Sequence, residues 1–303
     1  MRLYYCDHYS FPLPAGHKFP VAKYALLRGL LQAHGGFELT PARFAEPAEI
    51  ERAHDPEYVR AFLDGTVDPR IMRRIGFPWS RELVYRTLAS VGGTLAATAD
   101  ALSTGFGGNL AGGTHHAFRA EGSGFCVFND LAVAVRTAGR RAAVIDLDVH
   151  QGDGTAAIFE DDPGVLTVSL HGQNNFPFHK QRSRIDIGLA DGTGDDEYLE
   201  RLGGLFPAIR DFGPKILFYQ SGVDALEGDR LGRLRLSMEG LRERDATVFG
   251  WANHLQVPLV VTLGGGYAEP IERTAEAHAQ TFRAALRWRG GPQPTTLVGR
   301  LTD

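Results

Sequence analysis

Ala142-Ala143-Val144-Ile145-Asp146-Leu147-Asp148-Val149-His150 is the stretch whose reading decides the fold. It opens on an apolar run, as in a strand covered on both faces in a parallel sheet, and a strand is expected over 142–148. Residues two apart in a strand point the same way. Asp146, Asp148 and His150 are therefore expected on one face, while Leu147 and Val149 enter the packing. Oxygen and nitrogen donors converging at the end of a buried strand are what a divalent metal needs. One such Asp would be read as a cap for the next helix; three donors in strict alternation favour a site.

Further short apolar or β-branched runs are expected as strands at 3–6, 37–40, 109–111, 165–170, 216–220 and 259–263. Amphipathic segments between them are expected as helices at 21–34, 48–52, 56–64, 80–104, 129–138, 195–212, 237–255 and 270–288. This alternation predicts a single three-layer αβα domain over 1–303 around a mainly parallel sheet. No repeat or linker divides it, and Gly290-Gly291-Pro292-Gln293-Pro294 is expected to lead into a short tail.

The chain has 303 residues, 43% of them hydrophobic, enough to bury a sizeable core. A net charge of −4, from 36 acids against 32 bases, leaves no electrostatic footprint for nucleic acid. Arginines interleaved with acids, as in Arg242-Glu243-Arg244-Asp245, read as solvated helix faces. Cys6 and Cys126 stand far apart in no C-x-x-C pair, which excludes a cysteine-rich zinc site and suits a reducing cytoplasm. The first residues hold no signal-peptide core, and no run approaches the roughly 18 apolar residues of a membrane span.

The ends of the expected strands are polar or glycine-rich: Asp148 and His150, then Ser169-Leu170-His171, then Gln220-Ser221-Gly222-Val223-Asp224, then Gly264-Gly265-Gly266-Tyr267. Ligands of open parallel sheets bind beyond these carboxyl ends. Asp224 offers a third donor to a metal held by Asp148 and His150, and such a set leaves positions open for water and substrate. Gly112-Gly113-Thr114-His115-His116-Ala117 puts two imidazoles after a tight turn. Adjacent side chains diverge, so a general-base role for at least one is expected rather than joint ligation. Asp146 and Asp153 are candidates for orienting imidazoles through their ring N–H groups. Tyr267 is a candidate hydroxyl donor to a carbonyl oxygen. Gly152-Asp153-Gly154-Thr155-Ala156-Ala157 fits a dinucleotide-binding pattern, but its approach is polar and the next strand ends in His171 rather than an acid.

With these motifs in order, the chain resembles the histone deacetylase superfamily from near Tyr4 to near Arg287. The resemblance rests on Gly112-Gly113-Thr114-His115-His116-Ala117, Gly124-Phe125-Cys126-Val127-Phe128-Asn129-Asp130, the run from Asp146 to Gly154, Val168-Ser169-Leu170-His171, Gly222-Val223-Asp224 and Leu263-Gly264-Gly265-Gly266-Tyr267. Ile75-Gly76-Phe77-Pro78-Trp79-Ser80 and Glu227-Gly228-Asp229-Arg230-Leu231-Gly232 are similar to the class IV branch and its bacterial relatives. The resemblance implies the arginase/deacetylase fold and hydrolytic removal of acetyl or longer acyl groups from lysine side chains of a protein or peptide, or from small N-acyl amines. It implies zinc on Asp148, His150 and Asp224, with ferrous iron suiting the same donors. His116 would be the general base and then the acid, backed by Asp153. His115, paired with Asp146, would tune the site, and Tyr267 would bond to the scissile carbonyl.

A structural potassium would use the side chains of Asp146 and Ser169 with backbone oxygens of Asp148, His150 and Leu170. A second would use backbone oxygens around Phe159, Asp162 and Val165. The substrate tunnel would involve Gly124, Phe125, Leu231 and Gly265, with Phe125 as one wall and Phe178, or its neighbour Phe176, as the other. Lys23 stands where relatives often carry Arg near an acetate-release channel. Leu231 stands where polyamine-selective relatives place an acid, which weighs against an acetylpolyamine. Two other readings are a two-manganese ureohydrolase, which wants more bridging carboxylates, and a non-catalytic acyl-amine binder, which predicts a missing ligand, base or tyrosine. No nucleic-acid or membrane partner is expected, and the oligomeric state is left open.

Overall fold

Apolar segments that alternate with amphipathic ones satisfy their backbone by pairing side by side under covering helices, and here they form one sheet. The computed structural model describes residues 1–290; the tail beyond Gly290 and the expected boundary at Asp303 lie outside the described residues. The strands are β1 (Arg2–Tyr5), β2 (Glu38–Pro41), β3 (Phe106–Asn109), β4 (Ala142–Asp146), β5 (Val165–Gly172), β6 (Ile185–Leu189), β7 (Ile216–Gln220) and β8 (Leu259–Thr262). All pair in parallel, in the order β2-β1-β3-β8-β7-β4-β5-β6. The helices are α1 (Ala22–His34), α2 (Pro47–Ile50), α3 (Pro56–Asp64), α4 (Pro69–Ile75), α5 (Arg81–Thr104), α6 (Asp130–Ala138), α7 (Asp153–Ile158), α8 (Asp195–Gly203), α9 (Phe206–Phe212), α10 (Met238–Leu255) and α11 (Ile271–Gly290).

β4 is buried along its whole length between β5 and β7. After β4 the chain moves outward to β5, while after β7 it moves the other way to β8. The carboxyl ends of β4 and β7 therefore face a crevice from which their connections diverge, the place where open α/β sheets bind ligands. Helices cover both faces. In β3 a Cβ on Gly107 would lie 1.7 Å from the carbonyl oxygen of Ala97 in α5, whereas one on Gly108 would lie 2.5 Å from Leu3 and 3.0 Å from Phe282 in α11. Neighbouring strand residues point to opposite faces, so those two glycines mark the two covering layers.

Several expectations need correction. β4 stops at Asp146, and Leu147 to His150 form a bend rather than a continued strand. The strand expected at 109–111 is Phe106–Asn109, because its two glycines, which disguise it, are there to admit helices. The helix expected over 195–212 breaks around Gly204, with Pro207 in the first turn of α9. The edge strand β6, with alternating burial, and the short α4 and α7 were not expected. Arg244 and Asp245 are not on a solvated face: both are fully buried, with Arg244 Nη1 donating to the Gly222 carbonyl at 2.5 Å. The Asp245 carboxylate accepts from Tyr219 at 2.6 Å and Thr281 at 2.7 Å, so each charge has partners. Among the described residues, no helix is long and apolar enough to cross a membrane.

The glycine spacing of β3 generates a test. Gly107→Ala forces a methyl group into the backbone of α5 and is expected to cost about 3 kcal/mol or more. Gly250→Ala, in α10 with nothing within 4 Å of the new Cβ, is expected to raise stability by about 0.5–1 kcal/mol. Denaturant midpoints measure both; a neutral Gly107→Ala would refute the close helix–strand packing.

Candidate active site

Three donors meet where the bend after β4 faces the loop after β7. His150 Nδ1 lies 2.9 Å from Asp148 Oδ1 and 3.0 Å from Asp224 Oδ2. One ligand atom from each residue lies within 4.8 Å of the other two. The bend itself brings Asp148 and His150 round, with the apolar Leu147 and Val149 pinning it in the core. Backbone N–H groups hold the carboxylates: Gly265 donates to Asp148 Oδ2 at 2.7 Å, His150 to Asp148 Oδ1 at 3.0 Å, and Val149 to Asp224 Oδ1 at 2.9 Å.

Burial and the neighbouring Asp148 push the Asp224 carboxyl up to about 7. Burial disfavours a charge on His150, but the two carboxylates outweigh it and raise its pKa to about 10. The pocket among these groups thus favours positive charge, and its oxygen and nitrogen donors fit a divalent cation such as zinc or ferrous iron.

The histidine pair is held by Asp130, a residue the sequence reading quoted without giving it a role. Its carboxylate accepts from the N–H groups of Gly113 at 3.1 Å and Thr114 at 2.7 Å and from the Thr94 hydroxyl at 2.5 Å. Asn129 caps α6 and donates to the carbonyls of His115 and Ala117. In this cradle His115 Nδ1 lies 2.7 Å from Asp146 Oδ2, and His116 Nδ1 lies 2.6 Å from Asp153 Oδ1. The ring centroids are only 4.1 Å apart.

Their titrations separate. Burial disfavours charge on His115, but Asp146 and Asp148 outweigh it and raise the pKa to about 9. For His116 burial and the neighbouring His115 prevail, lowering the pKa to about 4. At neutral pH His115 is the cation and His116 the neutral imidazole, with its Nδ1–H directed to Asp153 and a lone pair on Nε2.

A cavity of about 690 Å³ leads to these groups, with His116, His150 and Tyr267 in its lining. Gly124 and Phe125 both have positive φ, of 52° and 65°, and a Cβ on Gly124 would fall 2.6 Å from His116 Cδ2. Phe125 forms one wall, its ring centroid 6.4 Å from that of Tyr267. Phe176 also lines the cavity, nearly perpendicular to His116 at 4.9 Å, whereas Phe178, in the same lining, is 79% exposed. Leu231 also lines the cavity, while Gly265 lies behind the carboxylates rather than on the wall.

Burial, Asp224 and Asp148 raise the Tyr267 phenol well above its ordinary range, so it stays a donor. Its backbone N–H is fixed by Asp229 at 2.6 Å, and Asp229 also accepts from Leu231 and Gly232. Lys23 donates to the Gly264 carbonyl at 2.9 Å, and burial lowers its pKa to about 8.

Asp146 and Ser169 are direct partners across β4 and β5, so the two side chains named for potassium are neighbours in register. Phe159, Asp162 and Val165 share a turn, with Asp162 N–H bonded to Phe159 and Val165 N–H to Asp162. Besides Asp130 and Asp229, sequence reasoning missed Gln220, which donates to Asp148 Oδ2 at 2.9 Å. Its position at the end of an apolar strand, opposite Asp146, was the available signal.

Residues 17–284 match the family described as Histone deacetylase domain. The chain is 44% identical over 292 residues to an uncharacterized protein of Picosynechococcus sp., covering 93% of this chain and 97% of that relative. It is 30% identical over 294 residues to the histone deacetylase-like amidohydrolase of Pseudomonas aeruginosa, covering 85% and 74%. Its fold is similar to that of an acetylpolyamine aminohydrolase from Burkholderia pseudomallei, with a TM-score of 0.76 at 21% identity over 94% of this chain and 98% of that one.

Gly265 offers a test of the donor cluster. A Cβ there would lie 1.7 Å from Asp224 Oδ2 and 3.0 Å from Asp148 Oδ2. Gly265→Ala is expected to weaken divalent-metal binding about tenfold to a hundredfold in titrations against a chelating dye, with the far-UV circular dichroism unchanged. Unaltered affinity would show that the cation binds elsewhere.

Proposed function

The chain belongs to the histone deacetylase family, and on that premise we propose that it is a metal-dependent deacylase acting on acyl-lysine or a small N-acyl amine. One observation carries the reading: a single cavity is lined by the carboxylate-backed His116, by Tyr267 and by His150, whose Nδ1 meets the buried Asp148 and Asp224. A zinc or ferrous ion held by those three residues would supply Lewis-acid polarisation of an amide oxygen and of a water molecule.

The chain's own groups do the rest. His116 Nε2 takes the proton from water as its oxygen adds to the amide carbon, while Nδ1–H keeps its bond to Asp153. The Tyr267 hydroxyl donates to the oxygen that gains negative charge. His116 then passes its proton to the departing nitrogen, leaving a carboxylate and a free amine. His115 remains a cation on Asp146 and balances the buried carboxylates. The same reading assigns potassium to Asp146 and Ser169 with the backbone oxygens of Asp148, His150 and Leu170.

Two measurements test it. Tyr267→Phe and His116→Ala are each expected to slow hydrolysis of an acetyl-lysine peptide by about a hundredfold or more, with melting temperature little changed. Near-normal turnover by either would overturn the assigned roles. Metal analysis is expected to return about one zinc or iron per chain. Two manganese ions would favour a ureohydrolase instead.

A further inference from the structure

Three segments carry a cation into the cavity wall: Lys18 in the loop before α1, Arg74 in the last turn of α4 and Arg233 in the loop between β7 and α10. Among the described residues lining the cavity, Asp153 is the one carboxylate, and it is tied to His116. The cations are placed by the same bonds that shape the tunnel. His17 donates to the Gly76 carbonyl at 2.8 Å, and the Phe19 ring packs 4.9 Å from Phe77 and 5.4 Å from Phe125, so Lys18 between them is held at the mouth. The carbonyl of Arg74 accepts from Gly124 at 3.0 Å and that of Ile75 accepts from Phe125 at 2.8 Å, linking this cation to the wall. The Arg233 carbonyl accepts from Gly192 at 2.8 Å.

Glu121 and Asp191 pair with Arg74 and Arg233, but neither acid lines the cavity. The apolar lining of Phe125 and Phe176 therefore meets three cations at the mouth, two of them ion-paired to acids outside the lining.

Building on the deacylase reading, we propose that the preferred substrate carries a carboxylate beyond its scissile amide, where Lys18, Arg74 and Arg233 meet it. An acetylpolyamine would bring ammonium groups to the same place and be repelled. The carboxylate has two sources, an acidic residue flanking acyl-lysine in a peptide or the free carboxylate of a small N-acyl amino acid.

The test compares kcat/KM for an acetyl-lysine peptide flanked by aspartates, the same peptide flanked by lysines, and N-acetylputrescine. A second arm compares Nα-benzoyl-Nε-acetyl-lysine with its carboxamide. The aspartate peptide is expected to exceed the lysine peptide by roughly fivefold to twentyfold at low salt. The gap is expected to close toward about 1 M salt, where the screening length falls to about 3 Å. The double variant Lys18→Glu, Arg233→Glu is expected to reverse the order. A preference shown by the carboxylate over its carboxamide assigns the charge to a small molecule, and one confined to the peptides assigns it to flanking residues. Equal rates for all probes would overturn this proposal and leave the deacylase reading standing; hydrolysis of none would overturn both.

Discussion

Two carboxylates, Asp148 and Asp224, are buried beside each other, and the rest of the structure is arranged so that they can be. Burial and their repulsion raise the proton affinity of Asp224, their hydrogen bonds and negative charge raise that of His150, and three backbone N–H groups and Gln220 donate hydrogen bonds to them. Those donors come from the ends of three different strands. Parallel order alone brings them together, because it puts every carboxyl end at one edge of the sheet.

The same negative charge explains why two adjacent histidines differ. His115 shares the field of Asp146 and Asp148, so it holds a proton although buried. His116 faces Asp153, the charged His115 and the aromatic ring of Phe176, and loses its proton well below neutrality. A protonated and a neutral imidazole thus arise from one residue type in consecutive positions. Asp130 and Asn129 make this durable by fixing the backbone that carries both rings.

Much of this was legible in the sequence wherever one residue type has one good physical use. Polar strand ends, paired glycines before histidines and an acid two residues past a glycine all pointed to residues that the fold brings together. The local geometry was less legible. Alternation suggested three donors along a strand, yet the strand ends at Asp146 and a bend brings Asp148 and His150 together. Gly107 and Gly108 hid a strand because a strand pressed between helices there has no room for side chains. Arg244 and Asp245 resembled surface charges because their partners, Tyr219, Thr281 and the Gly222 carbonyl, lie far away in the chain. Phe176 and Phe178 could not be distinguished until the turn between them placed one on His116 and the other at the mouth.

The bond from Gly265 N–H to Asp148 closes a loop of 117 residues, and β8 precedes Gly265 directly. Contacts of such long separation are slow to form and come after local structure. A chain emerging in N-to-C order would therefore complete its first seven strands with the donor cluster still lacking a wall. On that reasoning the donor cluster closes late in folding, and no fragment ending before the last strand would contain it whole.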